Sequence, residues 1–111
     1  MKKIGIIGAM EVEVASLKSA MQVSRMLQKA QMEFLEGELE GCQVVVVRSG
    51  IGKVNAAVCT QILVDEFGVD GVINTGIAGS LKAEINIGDI VLSTDVLHHD
   101  MDATGFGYKP G

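Results

Sequence analysis

Tryptophan is absent from these 111 residues, proline occurs once, and aromatic side chains make up 4% of the chain. A core must therefore be assembled from Ile, Val, Leu, Met and Ala, a composition that suits buried parallel strands and the helices packed on them. Basic residues are outnumbered, nine Lys and Arg against fourteen Asp and Glu, giving a formal charge of −5 with no Lys/Arg cluster. Neutralising a phosphate backbone needs a concentrated basic face, so nucleic acid is excluded as a partner and small neutral or cationic ligands are favoured. A long apolar run is also missing: Ile4 to Met10 is too short for a signal peptide or a membrane span and is broken by glycine, so a cytoplasmic protein with no membrane partner is expected. Cys42 and Cys59 show neither CxxC nor paired spacing and are expected to be reduced, buried thiols.

What is present describes a globular protein: 48% hydrophobic and 21% charged residues, with a length sufficient for one core but not for two ordinary domains. Fourteen glycines suit tight joints between strands and helices. Ile4 to Ile7 predicts a buried strand, followed from about Met10 by a helix whose Val14, Leu17 and Met21 recur at helical spacing while Lys18 faces solvent. Gln22 to Gln31 is polar and ambiguous. Met32 to Leu39 and Cys42 to Arg48 predict two strands joined through Glu40-Gly41, and the run Val44 to Val47 marks the second as central. After Ser49-Gly50-Ile51-Gly52, the spacing of Val54, Val58 and Ile62 predicts a helix that ends near Phe67-Gly68 with glycine past its end. Val69 to Asn74 and Gly88 to Val96 predict further strands, the former ending in Thr75-Gly76-Ile77-Ala78-Gly79.

If these strands are parallel, the glycine-containing joints converge on one edge of an α/β sheet, where such folds keep their ligands. The first joint delivers Glu11 and Glu13 to a helix start. The helix dipole alone favours glutamate there, but a carboxylate in such a crevice can also take a proton. Gly5-Ile-Ile-Gly8 lacks the third glycine of a dinucleotide fingerprint and no acidic residue follows at the right distance, so NAD is set aside.

Five fragments, Gly5-Ile-Ile-Gly8-Ala-Met-Glu-Val-Glu13-Val, Ser49-Gly-Ile-Gly-Lys-Val-Asn-Ala-Ala57, Asn74-Thr-Gly-Ile-Ala-Gly79, Gly88-Asp-Ile-Val and His99-Asp-x-Asp, occur in one order and spacing. Together they resemble the 5′-methylthioadenosine/S-adenosylhomocysteine nucleosidases, within the purine nucleoside phosphorylase and hydrolase superfamily. The resemblance spans essentially the whole chain. It implies a three-layer αβα fold with a central mixed, mostly parallel sheet, incomplete here because the family is roughly twice as long. Residues 1–111 would then be the amino-terminal half of a single domain.

The reaction so implied is hydrolysis of the N-glycosidic bond of methylthioadenosine or S-adenosylhomocysteine, with 5′-deoxyadenosine as a further substrate, releasing adenine without cofactor or metal. Glu13 matches the general base that orients and deprotonates water, Ala9 and Met10 line the ribose and the water site, and Ile51 forms an apolar wall near the ribose and thioether. Ile77, Ala78 and Gly79 match the segment beside the base and ribose, where Ile77 replaces a small hydroxyl residue and makes the pocket more apolar. Ala103 and Phe106 match positions that a second subunit lends in a homodimer. The acid that protonates adenine and the groups holding the ribose hydroxyls belong to the other half, so activity is expected to need it, in one chain or as a companion fragment.

Competing readings remain. A nucleoside phosphorylase needs cationic donors for phosphate; Glu11 and Glu13 would repel the anion at the first joint, and Arg48 alone makes a poor cradle. Futalosine hydrolase and AMP nucleosidase are related alternatives, and a non-catalytic binding or assembly module is a further one. His98, His99, Asp100 and Asp102 have metal-ligating side chains, but neighbours on an extended segment point to opposite faces, and the expectation is no metal.

Overall fold

The computed structural model describes residues 2–109, so Met1, Pro110 and Gly111, the ends of the expected single domain, lie outside the described residues. Its elements are β1 (Lys3–Gly8), α1 (Glu11–Ala20), β2 (Gln22–Lys29), β3 (Met32–Leu39), β4 (Cys42–Arg48), α2 (Lys53–Phe67), β5 (Gly71–Asn74) and a 3₁₀ turn at Thr104–Phe106. The chain divides into two compact units, Met1–Ala78 and Gly79–Gly111.

In the first unit the strands form one sheet in the order β2-β3-β4-β1-β5. β1 pairs in parallel with both β4 and β5, while β3 pairs antiparallel with β2 and β4. The sheet is therefore mixed. β4 carries four successive valines because both of its faces are covered. Val44 and Val46 pack with Ile6, Val14 and Met21 beneath α1, whereas Val45 and Val47 pack with Ile7, Phe34, Cys59, Leu63 and Phe67 beneath α2. Alternation along one strand thus builds two cores, and the helices lie on opposite faces in three layers.

Two departures come from the hairpins. Gln22–Lys29 is a strand, and its turn to β3 places Ala30 and Gln31 at φ 51° and 61°, the same left-handed pair that Glu40 and Gly41 adopt before β4. That turn lacks the glycine or asparagine that would announce it. Cys42 is exposed rather than buried, since it directly follows the second turn; Cys59 is buried as expected.

In α2 the buried residues are Cys59, Leu63 and Phe67, whereas Val54 and Val58 are exposed. Both sets have helical spacing, and the close approach of Gly5 to Leu63 shows which face meets the sheet. Gly68 ends the helix in the left-handed conformation (φ 60°, ψ 40°). Lys18 is half-buried, folded back onto Glu11 rather than turned to solvent.

The second unit is held by local turns: Ser80 Oγ receives the Lys82 amide, Asp89 Oδ2 receives the Asn86 amide, and Asp102 caps Thr104. Gly88 to Val96 is not a strand. Its Ile90, Leu92 and Val96 are exposed, and a strand forms only against a neighbour, which no described strand supplies to it. No helix among the described residues is long and apolar enough to cross a membrane.

Candidate active site

Parallel pairing aligns the carboxyl ends of β1, β4 and β5, and backbone hydrogen bonds carry the pairing one step past each end. The Ser49 amide donates to Gly8 O and the Thr75 amide to Ile7 O, each at 2.9 Å. The joints after these strands therefore open side by side. Ser49 is buried, its Oγ donating to Gly50 O at 2.8 Å, and Asn55 Nδ2 donates to Ile51 O at 2.8 Å. These bonds fix a loop in which Gly50 and Gly52 have φ of 87° and 103°.

Glu13 sits in the first turn of α1, half-buried. Its Oε2 accepts the Met10 amide at 2.9 Å, while its own amide donates to Met10 O at 3.0 Å. This reach back to the residue before the helix satisfies a donor that the helix leaves open. One carboxylate oxygen is thus held by backbone. The other is flanked by Gly76: a Cβ on that glycine would lie 3.1 Å from Oε1. A Cβ on Gly8 would strike Val14 at 2.7 Å and Glu13 Cβ at 3.0 Å. Glycines at the ends of two neighbouring strands make the space in which Glu13 stands.

Glu11, two residues earlier, is exposed and holds Lys18 Nζ at 3.0 Å. The two glutamates therefore differ in setting: Glu11 is tied to a cation, and Glu13 has one oxygen toward the joints. An oxygen so placed can orient a water and accept its proton.

Of the residues expected at the site, Ala9 and Met10 are half-buried beside Glu13 in the β1 joint. Ile51, 74% exposed, lies in the β4 joint, and Ile77, 84% exposed, and Ala78 lie in the β5 joint. Gly79, Ala103 and Phe106 belong to the second unit, where Phe106 closes the 3₁₀ turn and is exposed. Gly76 was not singled out by its sequence; the signal available was its place one residue beyond the end of Thr75's strand pairing.

Among the described residues, no three His, Cys, Asp or Glu side chains are grouped to hold a metal ion. Asp102 serves the backbone instead, accepting the Thr104 hydroxyl at 2.6 Å and amide at 2.9 Å, which hold its carboxyl below the usual carboxylate range.

A family model described as the phosphorylase superfamily matches residues 3–111. The chain is 51% identical over 109 residues to the 5′-methylthioadenosine/S-adenosylhomocysteine nucleosidase of Shewanella piezotolerans, covering 98% of this chain and 47% of that protein. Among solved structures, the Colwellia psychrerythraea nucleosidase in complex with adenine superposes with a TM-score of 0.94 at 52% identity, covering 99% of this chain and 46% of that one. The Neisseria meningitidis nucleosidase in complex with methylthio-immucillin-A gives 0.91 at 45% identity, covering 97% and 47%. The chain spans about half the length of the relatives it matches.

Proposed function

The chain belongs to the phosphorylase superfamily, and from that premise we propose that it serves the hydrolysis of the N-glycosidic bond of methylthioadenosine and S-adenosylhomocysteine, releasing adenine. The observation that carries this reading is the Glu13 carboxylate, pinned through Oε2 and open through Oε1 beside Gly76. Water held by Oε1 attacks C1′ as the bond to N9 breaks. Its proton passes to Glu13, and the carboxylate offsets the positive charge that gathers on the ribosyl group. Ala9 and Met10 line the ribose and the water site, Ile51 walls the ribose and thioether, and the segment Ile77, Ala78 and Gly79 passes beside the base and ribose.

The proton for the departing adenine comes from a group outside these residues, so full activity needs further chain or a companion fragment. Ala103 and Phe106 complete the thioether pocket of a second subunit in a homodimer. Residues 1–111 act as the amino-terminal half of one cytoplasmic nucleosidase domain that uses no cofactor or metal.

Electrostatics favours water over phosphate as the nucleophile. Glu11 and Glu13 occupy the first joint, and the nearby Lys18 is already engaged by Glu11. Incubating the complete protein with methylthioadenosine should yield adenine and free 5-methylthioribose at a rate that added phosphate does not raise. A sugar 1-phosphate among the products would make the protein a phosphorylase, and the absence of adenine would remove the nucleosidase reading.

A further inference from the structure

Both helices of the first unit reach back to the joint before them through the third residue of their first turn, and they do so with opposite chemistry. In α1, Glu13 accepts the Met10 amide. In α2, which starts at Lys53, Asn55 donates: its Nδ2 lies 2.8 Å from Ile51 O. A helix start leaves backbone N–H groups open, so a side chain that serves the helix accepts a hydrogen bond there. Asn55 gives one instead, to the carbonyl of a residue outside the helix. Gly52, at the cap position, makes no side-chain bond to the helix. The Asn55 bond therefore acts on the loop.

That loop has need of it. Ile51 stands between Gly50 and Gly52, whose φ of 87° and 103° are glycine conformations, and glycines on both sides leave a backbone freer than other residues would. One end is tied to the sheet, where the Ser49 amide donates to Gly8 O at 2.9 Å. The other is tied to α2 by Asn55. The amide also lies against Gly50: a Cβ there would stand 3.0 Å from Nδ2 and 3.5 Å from Cγ. One side chain thus holds the carbonyl of Ile51 and packs on the residue before it, while the Ile51 side chain itself, 74% exposed, has little protein around it to fix its place.

We propose that Asn55 is a positioning residue for the reaction, acting through Ile51: it holds the β4 joint so that the apolar side chain is in place before substrate arrives. The assignment rests on the nucleosidase reading, in which Ile51 walls the ribose and thioether. It adds a residue that touches neither substrate nor water.

The test uses the complete protein and compares methylthioadenosine with 5′-deoxyadenosine, which ends at the 5′ carbon. Asn55→Ala and Asn55→Asp should each lower kcat/KM for methylthioadenosine about fivefold, through KM rather than kcat, and leave 5′-deoxyadenosine within about twofold, the scale of one hydrogen bond. Aspartate keeps the size of asparagine but presents an acceptor to the Ile51 carbonyl. The first turn of α2 holds no acidic residue, so a negative charge there suits the helix, and the thermal midpoint of Asn55→Asp should hold or rise as its KM worsens. With Ile51→Ala, where the wall is already gone, adding Asn55→Ala should cost methylthioadenosine nothing more.

If the unaltered protein releases adenine from methylthioadenosine and both Asn55 variants match it, or their loss persists in full with Ile51→Ala, Asn55 is not a positioning residue and the nucleosidase reading stands. A loss equal for both substrates and tracked by the thermal midpoint would assign Asn55 to the fold alone and overturn the proposal too. If the unaltered protein releases no adenine, the reading fails and the assignment falls with it.

Discussion

Glu13 Oε2 accepts the backbone amide of Met10 at 2.9 Å, so the orientation of this carboxylate is set by the turn that ends β1 rather than by another charged side chain. A backbone clamp fixes geometry without supplying a counter-ion, which leaves the carboxylate free to act on charge that develops in a substrate. Glu13→Gln keeps a carbonyl oxygen for the Met10 amide and removes the proton acceptor. In the complete protein, turnover should fall by roughly 10²–10⁴-fold with little change in affinity for a substrate analogue. Glu11→Gln breaks only an exposed contact with Lys18 and should be mild by the same assay. Near-normal turnover in Glu13→Gln would remove it as the base.

Gly76 bears on the same carboxylate from the neighbouring strand. In Gly76→Ala the new methyl would lie 3.1 Å from Oε1 and 3.4 Å from Cδ, so the carboxylate has to shift by a few tenths of an ångström or turn away. Turnover should drop while the thermal midpoint changes little, because Gly76 is exposed and outside both cores. Gly105→Ala, where a Cβ meets nothing within 4 Å, provides the stability control. A loss of stability in Gly76→Ala equal to its loss of rate would mean that the glycine serves the fold instead of Glu13.

The parts of this molecule that sequence made legible are those whose cause is local. Ile4–Ile7, its glycines and the helix start that follows carry period, turn and cap within a dozen residues, and Val44–Val47 states its double burial outright. Gln22–Lys29 was opaque because an exposed edge strand needs no apolar alternation; its conformation comes from the ladder with β3. The buried face of α2 was ambiguous because Val54-Val58-Ile62 and Cys59-Leu63-Phe67 satisfy the same period, and only packing against Gly5 distinguishes them. Gly88–Val96 has strand composition without a described strand beside it. The site divides likewise: Glu13 is visible from its own joint, whereas the approach of Gly76 to its carboxylate depends on which strands lie side by side.

The two thiols should behave oppositely. Cys42 is exposed and should react at once with a thiol reagent in the folded protein, while Cys59, completely buried, should react only as the chain unfolds. Burial pushes the Cys59 thiol up from 9.0 to about 11. Between these values the unfolded chain loses its proton and the folded one keeps it, so the contribution is complete below pH 9 and is lost as pH rises through about 11. Denaturant midpoints measured across that window should decline, and less so in Cys59→Ala, which has no thiol to titrate. Equal declines in both proteins would assign the loss to other groups.

The contact between Gly5 and Leu63 sets how closely α2 approaches the sheet. A Cβ on Gly5 would stand 2.8 Å from Leu63 Cδ1, inside a core where Leu63 is fully buried and Val45 and Ile7 are close-packed neighbours. Gly5 pairs with Val45 on one side and Val72 on the other, so the backbone cannot retreat without disturbing two parallel ladders. Gly5→Ala should therefore cost about 1–3 kcal/mol by overpacking, and Leu63→Ala about 2–5 kcal/mol by leaving a cavity. The two changes have opposite volume effects at one place, so Gly5→Ala with Leu63→Ala should be less damaging than their sum. Chemical denaturation of the four proteins gives the coupling directly, and strict additivity would show that the helix and strand do not meet through these two residues.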